Sequence, residues 1–313
     1  MRKCLVIGGT GFIGSSLVGF LKKKNRQVKV LSNIPSTVKH CDVEYIHGDY
    51  GDIELVKTLL NDCEEIIHLA HSSLKMSINQ NIISDIHRNL LPTITLLDAC
   101  QQVKNIKKVI FVSSGGTVYG LQHTKIIDET HATDPISSYG VIKVTIEKYA
   151  RLFYYQNQLP VIIIRPSNGY GPGQIPFAGQ GFIATALASV LQSKPITIFG
   201  DGSTIRDYIY INDLAEGIIA ALDFGLPGEI YNIGSGQGYS NIQIVEEIIR
   251  PLAKKEGLDL QINFQPSRGF DVPSNILSYE KLHAISGWSP QMSFEEGIHS
   301  TWKWLKDNYS FIK

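Results

Sequence analysis

Tyr139 and Lys143 stand four residues apart, so on a helix they share one face with about 6 Å of axial rise between them. A lysine cation beside a phenol stabilises the phenolate and lowers its pKa, which suits the tyrosine to take a hydroxyl proton near neutral pH. That spacing alone is common on amphipathic helices. Far upstream, Gly8, Gly11 and Gly14 supply a second chemical feature. They follow an unbroken apolar run at 4–7 and precede Phe12, Ile13, Leu17, Phe20 and Leu21, which recur at helical spacing. A glycine turn between a strand and a helix N-terminus offers unpaired amides and the positive end of the helix dipole to an anion, with no Cβ in its way. The pattern G-x-x-G-x-x-G is a variant of the dinucleotide fingerprint. Between the two sets lies the hydroxyl-bearing turn Ser113-Ser114-Gly115-Gly116-Thr117. A nucleotide site plus a phenol–ammonium pair points to removal of a hydroxyl proton from a small molecule.

The elements that must position these groups can be read along the chain. Residues 4–7, 27–31, 43–49, 65–70, 108–112 and 161–165 read as strands. Helical periodicity fills 53–60, 79–101, where Pro92 kinks the stretch or marks a helix start, and 135–155, which carries Tyr139 and Lys143. Strands alternating with helices at this spacing imply right-handed crossovers and a parallel sheet. In such sheets ligands meet loops at the carboxyl ends of strands, where 113–120 falls. Beyond Arg165 the texture changes to glycine- and proline-rich turns, Asn168-Gly169-Tyr170-Gly171-Pro172-Gly173 and Gly200-Asp201-Gly202-Ser203. The expected fold class is α/β, a Rossmann-type doubly wound parallel sheet with a smaller C-terminal substrate-binding domain. Residues 1–165 would bind the dinucleotide and 166–313 mainly the substrate, with returns to the main sheet at about 205–235.

The 313 residues carry 29 Lys+Arg against 29 Asp+Glu, a formal net charge of zero, which offers no electrostatic footprint for nucleic acid or an anionic membrane. Cys4, Cys41, Cys63 and Cys100 are widely spaced, without the spacing of a metal site, and read as small core residues in a reducing compartment. No apolar run is long enough to span a bilayer, and the first residues run straight into a strand. A cytoplasmic protein with a small-molecule partner and no metal is the expectation.

The chain resembles the extended short-chain dehydrogenase/reductase family, in its nucleotide-sugar epimerase/dehydratase branch. The resemblance covers nearly the whole length. It rests on Gly8-x-x-Gly11-x-x-Gly14, Tyr139-x-x-x-Lys143, Arg165-Pro166-Ser167-Asn168-Gly169-Tyr170-Gly171-Pro172 and Gly200-Asp201-Gly202-Ser203-Thr204-Ile205-Arg206-Asp207-Tyr208. It implies a tightly held nicotinamide cofactor, a sugar linked to a nucleoside diphosphate, Tyr139 as base and Lys143 on the nicotinamide ribose. It places Gly8, Gly11, Phe12, Ile13, Ser32, Asn33, Asp49, Tyr50, Leu69, Ala70 and Pro166 around the cofactor, with Asp49 as an adenine contact. Asn168 and Arg206 would grip the diphosphate, Arg206 through bidentate bonds. Arg268 and Asp271 would make later phosphate and ribose contacts, and Lys75 is a further cofactor candidate.

Several departures narrow this picture. Close relatives in the branch usually carry Ser or Thr four residues before the tyrosine of the 113–120 turn; here that position is Gly115, so Ser114 or Thr117 must substitute, or the sugar is held otherwise. The Thr-Asp-Glu turn by which family dehydratases eliminate water is missing, and neither Gly115 nor Gly116 can protonate a leaving group. Strand two ends at Ser32 rather than at the carboxylate that marks NAD. The 32–36 turn has no arginine to balance a 2′-phosphate, and Ser32 and Asn33 can bond ribose hydroxyls, so NAD is expected, with Lys39 keeping NADP open. The expected activity is 4-epimerisation of a nucleoside-diphosphate hexose, UDP-glucose or UDP-N-acetylglucosamine and their galacto partners, through a transient 4-keto sugar. A 4-keto-sugar reductase using the same residues is the alternative, and a non-catalytic NAD(P) sensor the remote one. Asn275, four residues after Asp271, would border the sugar's C2 substituent and leave room for an N-acetyl group. A homodimer built on the 79–101 and 138–155 helices completes the expectation.

Overall fold

In the strand Lys3–Ile7 (β1), Cys4 and Val6 face one core while Leu5 and Ile7 face another. That alternation, apolar on both sides, is what a strand buried within a parallel sheet requires. The computed structural model describes residues 1–35, 40–72, 82–179, 181–267, 269 and 272–308. After β1 come helix α1 (Phe12–Lys23), β2 (Gln27–Ser32), β3 (Glu44–His47), α2 (Ile53–Leu60) and β4 (Glu65–His68). The next helical stretch is α3 (Ile82–Asp85), a π-helical turn over Ile86–Leu90, and α4 (Leu91–Gln102), with Pro92 in the first turn of α4. Proline is tolerated there because its missing N–H would have had no partner.

β5 (Lys108–Val112), a short α5 (Gly115–Val118), the long α6 (Ser138–Asn157) and β6 (Val161–Pro166) complete the first half. Then follow β7 (Asn168–Tyr170), α7 (Phe182–Leu191), β8 (Ile196–Phe199), β9 (Ile205–Tyr210), α8 (Ile211–Phe224) and β10 (Ile230–Ile233). The remainder is β11 (Gly238–Ser240), α9 (Asn241–Gln243), a second π turn (Ile244–Ile249), α10 (Arg250–Lys255), β12 (Ile262–Gln265), β13 (Ser274–Asn275), α11 (Glu280–Ser286) and α12 (Phe294–Asp307).

Seven strands form one sheet in the order β3-β2-β1-β4-β5-β6-β10, and each neighbouring pair is parallel. The strand order reverses between β1 and β4, so the crevice for a ligand opens at their carboxyl ends. α2, α4 and α6 cover one face through Val56, Leu60, Leu97, Ile142 and Ile146, and α1 and α8 cover the other through Leu17, Leu21, Leu214 and Ile218. β7, β9, β11 and β13 make a second sheet, and β8 pairs β12 in a two-stranded one. β10 lies in the main sheet although it follows these elements in sequence.

The two sheets are joined by Asp207 of β9, which is fully buried and accepts from the Ser235 amide at 2.9 Å and hydroxyl at 2.7 Å and from the Leu277 amide at 3.1 Å. Cys4, Cys63 and Cys100 are core residues, but Cys41 is exposed, which corrects the reading of all four as core. Among the described residues no helix is long and apolar enough to cross a membrane, and no group of three or more His, Cys, Asp or Glu could hold a metal ion.

Candidate active site

β1 delivers the chain into the glycine turn, where Gly8 has φ +84° and donates its amide to the Leu31 carbonyl at 2.8 Å. A Cβ there would lie 2.8 Å from the Ala70 amide nitrogen, and one at Gly14 would lie 2.5 Å from the Gly8 oxygen. Only glycine allows the turn to pass so close to both the next loop and the first turn of α1. The N-cap of α1 is Gly11, with no capping side chain and no acid in the first turn. The Phe12 and Ile13 amides, which have no intrahelical acceptor, and the positive end of the helix dipole are therefore left to an anionic guest. This cradle fits a dinucleotide's diphosphate.

The cofactor-side residues gather along the carboxyl ends of β1 to β4. Ser32 ends β2 with its hydroxyl 2.6 Å from that of Thr10 in the glycine turn and 3.2 Å from the Ile34 amide, and Asn33 beside it is exposed. Asp49 is exposed and accepts the Gly51 amide at 2.8 Å. Tyr50 meets the His68 ring at 4.9 Å, tilted by 58°, and donates to the Arg88 carbonyl at 2.9 Å; burial pushes its phenol up to about 12. The Leu69 and Ala70 amides both donate to the Ile7 carbonyl. Phe12 lies under Gly169, and Pro166 ends β6.

At the catalytic end, α6 presents Tyr139 and Lys143 to the turn after β5, with the Ser137 hydroxyl capping the helix at the Gly140 amide, 3.2 Å away. Ser114 hydrogen-bonds the Tyr139 side chain. The Lys143 ammonium, fully enclosed, donates to the Val112 carbonyl at 2.9 Å and lies 5.6 Å from the centre of the Tyr139 ring. Burial pulls it down to about 8 against the pull of Glu147. Burial also pushes Tyr139 up to about 12, opposed by the Ser114 bond. The expectation of a lysine-lowered phenol is therefore corrected for the ligand-free chain: the ammonium lies over the ring and bonds the Val112 carbonyl instead of the phenol oxygen, and desolvation outweighs the one opposing interaction, with Ser114.

The missing hydroxyl at Gly115 has a packing cause. A Cβ there would lie 2.3 Å from a Leu277 methyl and 3.0 Å from the Arg165 carbonyl. Of the two candidates to replace it, Ser114 is on Tyr139, whereas the Thr117 hydroxyl is buried with no partner among the described residues. Asn275, 1% exposed, donates to the Gly115 carbonyl at 3.1 Å, and its Oδ1 has no partner among the described residues. Asn168 donates to the Asp207 carbonyl at 3.0 Å, and its Oδ1 faces Gly116. Arg206, paired in register with Asn275, places Nη1 on the Ile205 and Val272 carbonyls. Arg268, Asp271, Lys75 and Lys39 lie outside the described residues.

Two residues of the site escape motif reading. Glu147 lies one turn beyond Lys143 and binds Arg165 at 3.0 and 2.6 Å while accepting from Ser113 at 2.5 Å. Its signal is the four-residue spacing 139, 143, 147. His71 lies 4.5 Å from the Tyr139 ring, and its signal is its place just past the carboxyl end of β4.

Known proteins share this fold. The solved UDP-glucose 4-epimerase of Thermotoga maritima with UDP-glucose has a TM-score of 0.90 and 30% identity, over 98% of this chain and 100% of its own. The UDP-glucose 4-epimerase of Thermus thermophilus in complex with NAD has a TM-score of 0.86 and 32% identity, over 97% and 99% of the two chains. The human dTDP-D-glucose 4,6-dehydratase is 28% identical over 98% of this chain and 91% of its own. A profile of the NAD dependent epimerase/dehydratase family matches residues 4–234. With the glycine cradle, the Ser114–Tyr139–Lys143 cluster and this match across most of its length, the chain belongs to the NAD dependent epimerase/dehydratase family.

Proposed function

We propose that this enzyme is a 4-epimerase of a UDP-linked hexose. The observation that carries the reading is the turn after β5: Ser114 bonds Tyr139, while the next two positions are Gly115 and Gly116. Hydroxyl chemistry at one carbon is provided for, and no side chain at either glycine can protonate a leaving group. That favours epimerisation over the dehydration named for the human relative. NAD, when bound, supplies reversible two-electron chemistry at the sugar C4 and, oxidised, a positive charge. Tyr139 takes the proton of the 4-hydroxyl and returns it. Its phenol is protonated in the ligand-free chain despite the Lys143 ammonium, and a further positive charge placed beside it would lower its pKa. Ser114 holds the reacting oxygen, and Lys143 keeps an ammonium under the phenol ring. Arg206 and Asn168 answer the diphosphate, and the 4-ketone turns its other face before it is reduced.

Support for an N-acetylated substrate comes from Asn275, whose buried Oδ1 leaves an acceptor for an acetamido N–H. Support for a homodimer comes from the apolar side chains left exposed on α4 and α6, Leu91, Val141, Tyr149 and Leu152, beside a groove of about 500 Å³ lined by Ile82, Ile86, Leu90 and Val141.

The test is interconversion of UDP-, dTDP-, GDP- and CDP-sugars by the purified protein with no cofactor added. An epimerase converts a sugar to its C4 epimer without net redox; loss of water from the product would make it a dehydratase, and stoichiometric use of NAD(P)H would make it a reductase. Mass spectrometry of the dinucleotide released on denaturation is expected to give NAD. Comparing kcat/KM for UDP-glucose and UDP-N-acetylglucosamine in wild type, Asn275→Leu and Asn275→Tyr tests the gate, and an unchanged preference in both variants removes Asn275 from that role.

A further inference from the structure

His71 follows β4 between two anchored neighbours, Ala70 and Ser72. On one side the Ala70 amide donates to the Ile7 carbonyl at 3.1 Å and presses against Gly8. On the other, the Ser72 amide donates to Asn89 Oδ1 at 2.7 Å, and Asn89 Nδ2 donates to the Ser72 carbonyl at 3.1 Å. Asn89 is 1% exposed and sits in the π turn Ile86–Leu90, the kind of helix irregularity that recurs at functional sites. Between these anchors the His71 ring meets the Tyr139 ring at 4.5 Å, close to perpendicular at 85°. The phenol cannot swing past a residue whose peptide neighbours are both tied down. His71 is also a poor acid or base, because burial and the nearby Lys143 charge depress its imidazole to about 2. Its contribution is shape.

Resting on the epimerase reading, we propose that His71 is a positioning residue that fixes the plane of the Tyr139 phenol, keeping its hydroxyl on Ser114 where the sugar's reacting oxygen must arrive. Misplacement of a reacting group by about 1 Å can cost on the order of a hundredfold in rate. His71→Ala is therefore expected to lower kcat by about 10- to 100-fold with KM within about twofold. His71→Phe keeps the ring and loses both nitrogens, so it should retain kcat within about threefold.

A second readout needs no substrate. With ring-labelled tyrosine, the Tyr139 carbon signal is the one of 14 tyrosine signals that Tyr139→Phe removes. It should shift or broaden in His71→Ala and stay in place in His71→Phe. Unchanged kcat and an unchanged Tyr139 signal in His71→Ala overturn the proposal. So does a loss in His71→Phe equal to that in His71→Ala, because the nitrogens would then be the essential part. A wild type that turns over no sugar in the panel rejects the epimerase reading and leaves the spectroscopic comparison to decide on His71.

Discussion

In the proposed function the phenol of Tyr139 carries the proton transfer, and its surroundings in the free chain hold its proton on. Tyr139→Phe should fold, keep its cofactor and lose on the order of 10²- to 10⁴-fold in turnover, the scale for removing a general base; near-normal turnover would reject the role. The histidines nearby make a separate prediction about stability. Burial depresses His68 from 6.5 to about 3 and His71 from 6.5 to about 2. In the unfolded chain both imidazoles bind a proton below their ordinary value; in the fold they do not until far lower. Their contribution is thus complete above 6.5 and lost as pH falls toward 3. The urea midpoint should fall from about pH 7 to about pH 5, with a shallower fall in His71→Phe. A pH-independent midpoint over that interval contradicts the assignment.

Among the elements, α6 carries Tyr139 and Lys143, and a buried ion pair ties it to β6. Glu147 and Arg165 are both almost wholly enclosed, with side chains 2% and 4% exposed, and Ser113 adds a third bond from the end of β5. Removing one partner of such a pair strands the other charge, at about 3–5 kcal/mol. Glu147→Gln should lower the urea midpoint accordingly at unchanged m, and a loss below about 1 kcal/mol would show that the pair does not hold the helix. α1 gives a second test: the Cβ of Gly14→Ala would lie 2.5 Å from the Gly8 oxygen. The variant should purify with little or no bound dinucleotide, and full occupancy would argue against the cradle.

At the scale of the molecule, the seven-stranded sheet with its β1/β4 crevice and the smaller sheet tied on through Asp207 bring distant segments to one turn: Asn168, Asn275 and Leu277 all meet Gly115 or Gly116. The exposed apolar side chains on α4 and α6 make the last prediction. Light scattering at micromolar concentration should give twice the chain mass of 34.7 kDa, and Val141→Glu with Leu152→Glu should give the monomer. A monomeric wild type would refute the dimer.

Local chemistry fixed much of this in advance. A strand buried on both faces must be apolar throughout, and a phosphate cradle needs glycine, so the α/β class, the glycine turn and the Tyr139/Lys143 face were legible from residue type and spacing. The helical character of the 79–101 stretch was legible too over its described residues, 82 onward, but not its π turn, since one extra residue in a turn leaves the apolar pattern nearly unchanged. What only the tertiary structure decided depends on contacts between residues far apart in the chain. That Ser114 rather than Thr117 takes the phenol is one such outcome, and another is Leu277, 162 positions beyond Gly115, filling the space a side chain at 115 would need. The state of Tyr139 follows from burial that no spacing encodes, and His71 meets its ring beside Ser72, which Asn89 holds through two hydrogen bonds.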